Sequence, residues 1–178
     1  MAAYYAAKTA RQARNAIQGA QNRAAGEFFE GMIKAACQRY REMEAADIDK
    51  TPEPTKQLTK MDERGQFRAC YEKKAQPDFK GTLAGGRSIV FEAKFTSTGK
   101  MKQDVVMKQQ ADSLDRHEKL GAVCFVIVGF GVNDVRRIPW ELWKRMKEEL
   151  GRKYITPEDW RKYTVKQKRG IWDFLYRY

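Results

Sequence analysis

The sequence predicts an α/β fold, a mixed central β-sheet flanked by helices, and three observations carry that expectation. Residues 87–95, Arg-Ser-Ile-Val-Phe-Glu-Ala-Lys-Phe, alternate in the manner of a half-buried strand: Ile89, Phe91, Ala93 and Phe95 leave one face, Val90, Glu92 and Lys94 the other. Residues 122–130, Ala-Val-Cys-Phe-Val-Ile-Val-Gly-Phe, form a continuous apolar, β-branched run of strand length, which suits a strand buried on both faces. Segments with helical spacing lie before, between and after these two runs.

The elements follow in order. Residues 1–25 are rich in Ala and Gln, carry Lys8, Arg11, Arg14 and Arg23, and contain no acid, so they read as a basic arm, mobile or marginally helical. Residues 26–44 read as a helix whose apolar face is Phe29, Met32, Ile33, Ala36, Tyr40 and Met43. Thr51-Pro52-Glu53-Pro54 stops it, because each proline pushes its predecessor into an extended conformation. Residues 55–75 are polar and mixed, with a weak strand at Phe67–Glu72. Asp78-Phe79-Lys80-Gly81 and Gly85-Gly86 bracket a hairpin-like connection into the 87–95 strand. Residues 103–119 read as a helix with Val106, Gln110, Leu114 and His117 or Glu118 along one side, ended by Gly121. Trp140–Leu150 is a further helix after Pro139, and Thr156-Pro157-Glu158 has the form of another helix start. The four tryptophans, Trp140, Trp143, Trp160 and Trp172, fit packing better than base stacking. The expected organisation is a single domain over 26–178 with the arm 1–25 appended.

Composition narrows the function. A formal net charge of +12 on 178 residues points to a polyanionic partner, nucleic acid first. No apolar run reaches the roughly 20 residues of a membrane span, and no secretory signal opens the chain, so the expectation is a cytoplasmic protein with no membrane partner. Three widely separated cysteines, Cys37, Cys70 and Cys124, suit neither a disulfide scaffold nor a zinc site. With His117 as the one histidine, chemistry that needs a histidine pair or triad is excluded, and carboxylates, lysines and a bound metal must serve instead.

Glu92 and Lys94 leave the same strand face roughly 7 Å apart. Two charges on an interior strand are costly unless compensated; taken alone, they also read as a solvated face. A hairpin over Lys80–Gly86 returns Asp78 toward Glu92, so that two carboxylates and the Ala93 carbonyl between Glu92 and Lys94 converge on a hard cation that prefers oxygen ligands. Mg²⁺ there, with Mn²⁺ as a substitute, suits phosphodiester hydrolysis, and Lys94 is the group to handle the attacking water. Lys73, Lys74, Lys80, Arg87, Lys100 and Lys102 flank the site in sequence and suit phosphate contacts. No major-groove recognition helix stands out, which favours recognition of DNA shape over base sequence.

Pro77-Asp78 followed by Glu92-Ala93-Lys94 resembles the PD-(D/E)xK motif of restriction-endonuclease-like folds. Gly26-Glu27-Phe28-Phe29-Glu30, Lys50-Thr51-Pro52-Glu53-Pro54, Asp78-Phe79-Lys80-Gly81, Phe91-Glu92-Ala93-Lys94-Phe95-Thr96 and the glutamine ahead of Gly121-Ala122-Val123-Cys124-Phe125 occur in the order seen in RecU-type Holliday junction resolvases. The resemblance covers about residues 23–130, more loosely Ile171–Leu175, and is to a divergent member of phage or mobile-element type. It implies a homodimer that cuts four-way DNA junctions symmetrically with Mg²⁺. It also implies a site of Glu30, Asp78, Glu92 and Lys94, with Glu30 as a further metal-binding acid. A glutamine on the following helix completes the implied site; Gln110 is preferred to Gln109 because Leu114 follows one turn later on the same face. The element that projects into the junction in that family falls in 55–75, where the match is poor. Two other readings stay open: a nuclease of the same fold acting on flaps, nicks or duplex ends, and a non-catalytic DNA-binding protein of recombination with a vestigial site.

Overall fold

The computed structural model describes residues 2–52, 55–71, 76–131 and 133–175. Helix α1 runs Ala2–Glu42, and β1 follows at Ala46–Lys50. Strands β2 (Thr55–Gln57) and β3 (Ala69–Tyr71) form a small antiparallel ribbon. Strands β4 (Phe79–Leu83) and β5 (Ser88–Thr96) make a hairpin. Next come β6 (Met101–Lys102), α2 (Lys108–Lys119), β7 (Val123–Phe130), β8 (Val135–Pro139), α3 (Trp140–Lys144) and α4 (Met146–Leu150). Strand β9 (Tyr154–Ile155) pairs with β6, and β10 (Lys166–Lys168) with β11 (Ile171–Asp173).

The central sheet has the order β1-β4-β5-β7-β8 and is mixed: β5 and β7 are parallel, joined through α2, and the other neighbours are antiparallel. This is the α/β arrangement, a mixed central sheet flanked by helices, that the sequence predicts. The two strands it identified most clearly, β5 and β7, sit at the sheet's centre.

Each face of the sheet has its own core. On one, α1 and the C-terminal β11 cover Ile48, Phe79, Ile89, Phe91, Phe125 and Ile127 with Phe29, Ile33, Tyr40, Trp172 and Phe174. Phe79, Phe91 and Phe125 stack across three neighbouring strands, with ring centroids 4.9 and 4.5 Å apart. Such offset aromatic pairs add stability beyond area burial. Gly129 lets α1 approach closely: a Cβ there would stand 2.5 Å from the Phe29 ring. On the other face, Val90, Cys124, Val126, Val128 and Ile138 pack against Leu114 of α2 and Trp140, Trp143 and Met146 of α3 and α4. Trp172 is buried as well, so these tryptophans are packing residues.

Several elements depart from the sequence expectation. The helix over 26–44 begins at residue 2, so the arm and the domain helix are one continuous rod. That rod ends at Glu42, and Met43 is exposed beyond it instead of completing the apolar face. The 103–119 segment opens with a 3-10 turn, and the α-helix begins only at Lys108. The 140–150 helix is divided at Arg145. There the Gln103 side-chain amide donates to the Trp143 and Lys144 carbonyls (2.8 and 2.9 Å), acceptors a continuous helix would use itself. Thr156 starts no α-helix: its hydroxyl donates to Asp159 instead of accepting from the backbone, and Trp160 takes a positive φ of 48°. The weak strand at 67–72 is confined, among the described residues, to Ala69–Tyr71.

Candidate active site

The β4–β5 register positions the acids. Phe79 pairs with Phe91, so Asp78, one residue before β4, falls beside the continuation of β5 at Glu92 and Ala93. Asp78 is tied down on both sides. Its carbonyl accepts from the Thr51 amide at 2.8 Å. Its Oδ2 accepts from the Ala93 amide at 3.0 Å and from Lys94 Nζ at 3.4 Å. Because β4 pairing stops at Phe91, the Ala93 carbonyl lies beyond the last register pair, on the same strand edge as its amide.

Glu92 is fully buried, not part of a solvated face. Its Oε2 accepts from Lys94 Nζ (2.8 Å) and from Gln110 Nε2 (2.6 Å). Its Oε1 is buried with no hydrogen-bond partner. Burial, opposed by the Lys94 charge and reinforced by the neighbouring Asp78, pushes the Glu92 carboxyl up to about 8. Burial alone would lower the Lys94 ammonium, but Glu92 and Asp78 outweigh it and the net shift is upward. Lys94 thus bridges the two carboxylates as a fixed positive charge.

Gln110 is the third residue of α2, and its position explains its two bonds. Its Oε1 accepts from the Met107 amide (3.1 Å), capping the helix start, and its Nε2 donates to Glu92. The neighbouring Gln109 is exposed, so Gln110 is the glutamine that the fold brings to Glu92.

Glu30 is not brought to this group. Its carboxylate pairs with Lys34 (2.7 Å) and Lys50 (2.6 Å). Partial burial opposes its ionisation, yet these two lysines hold it below the usual carboxylate range. Among the described residues no three Asp, Glu, His or Cys side chains gather where they would share a metal. Lys50, which the sequence reading did not single out, links Glu30 to the Asp78 neighbourhood: it pairs with Phe79 in the sheet, and the next residue, Thr51, bonds Asp78.

The donor set still suits a hard divalent cation. Two carboxylates and a carbonyl are oxygen ligands, and the unpartnered Glu92 Oε1 is a buried acceptor in need of a positive partner.

The basic residues divide. Lys80 shares the sheet face of Val90, and so of Glu92, and holds Gln76 at 2.9 Å. Lys100 stands 5.2 Å from the Tyr154 ring centroid, and Lys102 is exposed on β6. Arg87 does not flank the site. It immediately precedes β5, about 17 Å from Glu92 along the strand, and donates to the Gly121 carbonyl at 2.8 Å. Lys73 and Lys74 lie outside the described residues. The β6–β9 pairing adds Arg152, 4.8 Å from the same Tyr154 ring, and Lys153 to the edge carrying Lys100 and Lys102. Half a hundred residues of separation hid that cluster from a linear reading. His117 is half-buried, and burial with the nearby Lys80 and Arg116 charges lowers its pKa. No helix among the described residues is long and apolar enough to cross a membrane.

No curated protein matches the sequence. Among solved structures, the fold is similar to Hjc of Archaeoglobus fulgidus, a Holliday junction resolvase from an archaeal hyperthermophile. The identity is 12%, the TM-score 0.41, and the match covers 66% of this chain and 74% of that one. The family model described as Recombination protein U matches residues 24–175, through both the Asp78–Lys94 hairpin and the C-terminal strands. The chain therefore belongs to the Recombination protein U family.

Proposed function

We propose that the protein is a Mg²⁺-dependent, structure-specific DNA endonuclease that resolves Holliday junctions, working as a homodimer with one site per protomer. The observation that carries the reading is the pair Asp78 and Glu92, bridged by Lys94, with Glu92 Oε1 buried and unpartnered. Asp78, Glu92 and the Ala93 carbonyl are the groups to hold the ion. When bound, Mg²⁺ (or Mn²⁺) polarises a phosphodiester and acidifies a water.

The chain's own residues do the rest. The Ala93 amide orients the Asp78 carboxylate, and Gln110 orients that of Glu92, so both acids are placed before substrate arrives. Lys94, held charged by its neighbours, offsets negative charge as the phosphate is attacked and is placed to hold the attacking water. Lys80, Lys100 and Lys102, with Arg152 and Lys153, supply cations for phosphates on either side of the cut. Membership of the recombination family and the net charge of +12 support DNA as the partner. Two-fold symmetry in the protein suits a branched DNA with two equivalent strands.

The test uses labelled four-way junction, flap and linear duplex, each with Mg²⁺ or EDTA. Paired symmetric nicks confined to the junction are expected, and only with the metal. Flap-selective cutting would reassign the substrate. Binding without cleavage in either Mg²⁺ or Mn²⁺ would overturn the enzymatic reading.

A further inference from the structure

Helix α1 carries a second apolar face that none of the described residues covers. Ala13, Ile17 and Ala20 are followed 11 residues later by Ala24, Phe28 and Gly31, and then by Ala35; all are exposed. Ile17 and Phe28 are the large members, 60% and 54% exposed. Steps of four and three residues keep to one side of a helix, and an 11-residue repeat stays on that side over a long, nearly straight one. This strip lies roughly 140° around the axis from Phe29, Ile33, Ala36 and Tyr40, which face the sheet. Residues 12–18 are exposed throughout, and the bond from the Ser97 hydroxyl to Asn22 marks where the rod leaves the domain. A helix of that kind is marginal in water without a packing partner.

We infer that this strip docks a second copy of the chain, α1 against α1, antiparallel about a two-fold axis at Ala24. The inference rests on the homodimer in the proposed function and names its interface. Three observations favour a second copy. The strip is self-complementary: with Ala24 opposite its own copy, Ile17 meets Gly31, Phe28 meets Ala20 and Ala13 meets Ala35, each large side chain against a small one. The charges beside it are complementary in the same register, since Arg23 falls within a side chain's reach of Glu27 in the other copy, twice by symmetry. Neither residue forms an ion pair within its own chain among the described residues. The strip itself carries no charge. Two molecules of net charge +12 can approach there, whereas a DNA surface would be drawn to the basic sides of the rod.

The experiment measures mass in solution across a micromolar dilution series. Wild type is expected to be dimeric, and Ile17→Asp with Phe28→Asp to weaken association at least a hundredfold while leaving the circular dichroism spectrum unchanged. Arg23→Glu alone should weaken it about tenfold, and adding Glu27→Arg should restore it. As an independent readout, Ala24→Cys in a Cys70→Ser background should oxidise to a disulfide-linked dimer, and Asn15→Cys, on another face, should not; the remaining Cys37 and Cys124 are buried. A dimer that persists in the Ile17/Phe28 variant keeps the homodimer and overturns this interface. A wild type that is monomeric throughout removes the homodimer itself. An intact dimer that loses junction binding assigns the strip to DNA and overturns the inference as well.

Discussion

The two faces of β5 are built from alternate residues of one strand and behave in opposite ways. Ile89 and Phe91 point into an aromatic layer with Phe79, Phe125, Phe174 and α1 behind it. Glu92 and Lys94, one step along, point to the other side, where Gln110 and Asp78 meet them. The apolar face gains from burial; the polar one is held against it, with an unpartnered oxygen and a carboxyl pushed up to about 8. Because a strand's side chains alternate with period two, fixing the first face fixes the second. The Phe79–Phe91–Phe125 stack therefore holds the register that brings Asp78 to Glu92.

Breaking the polar face should have the largest effect on activity. Glu92→Gln is expected to reduce junction cleavage by at least a thousandfold while leaving junction affinity within about twofold, read by gel assay and by binding in Ca²⁺. The same variant sharpens the contrast through stability. The folded-state pKa of Glu92, about 8, lies above the ordinary carboxylate value of 4.5 that the unfolded chain has. Its contribution is therefore fully present below pH 4.5 and is lost as pH rises toward 8. In EDTA, urea midpoints of wild type should fall through that window, and those of Glu92→Gln should stay flatter, leaving the variant the more stable protein at pH 8. Equal slopes for the two proteins would show that Glu92 does not carry this burden.

Breaking the apolar face comes next. Phe91→Ala should cost about 3–5 kcal/mol by chemical denaturation. It should also lower cleavage at temperatures where the protein remains folded, because the site shares its register. Unchanged activity in folded Phe91→Ala protein would separate the stack from the site.

Gln110→Ala is the mildest. It removes a helix cap and a bond to Glu92, so about 1 kcal/mol of stability and roughly tenfold in cleavage rate are expected. A purely structural role would leave the pH profile of cleavage unmoved, whereas a positioning role shifts its Glu92-dependent limb. Gln110→Glu, which keeps the cap acceptor but brings a second carboxyl to Glu92, should be worse than Gln110→Ala.

Much of this architecture is local and therefore legible in one dimension. The alternation of residues 87–95 names β5 and sorts its residues correctly between the two cores, and the apolar run at 122–130 names β7. The hairpin turn at Gly85-Gly86 implies that Asp78 returns to Glu92. Other features depend on distant partners. The break at Arg145 needs Gln103, some 40 residues earlier in the chain, to take its carbonyls. The pairing of Glu30 with Lys50 and the separation of Arg87 from the site depend on how the strands order, not on proximity in sequence. The basic cluster of Lys100, Lys102, Arg152 and Lys153 exists only because β6 finds β9.

Sequence by itself determined the mixed α/β class and the group Asp78, Glu92 and Lys94, because strand periodicity and a tight turn act over a few residues. Tertiary structure decided that Glu92 is fully buried, that Gln110 holds it, and that Glu30 faces lysines instead of the other acids. Those outcomes depend on which surfaces pack together, and desolvation is a property of the assembled layers, not of the strand that carries the charge.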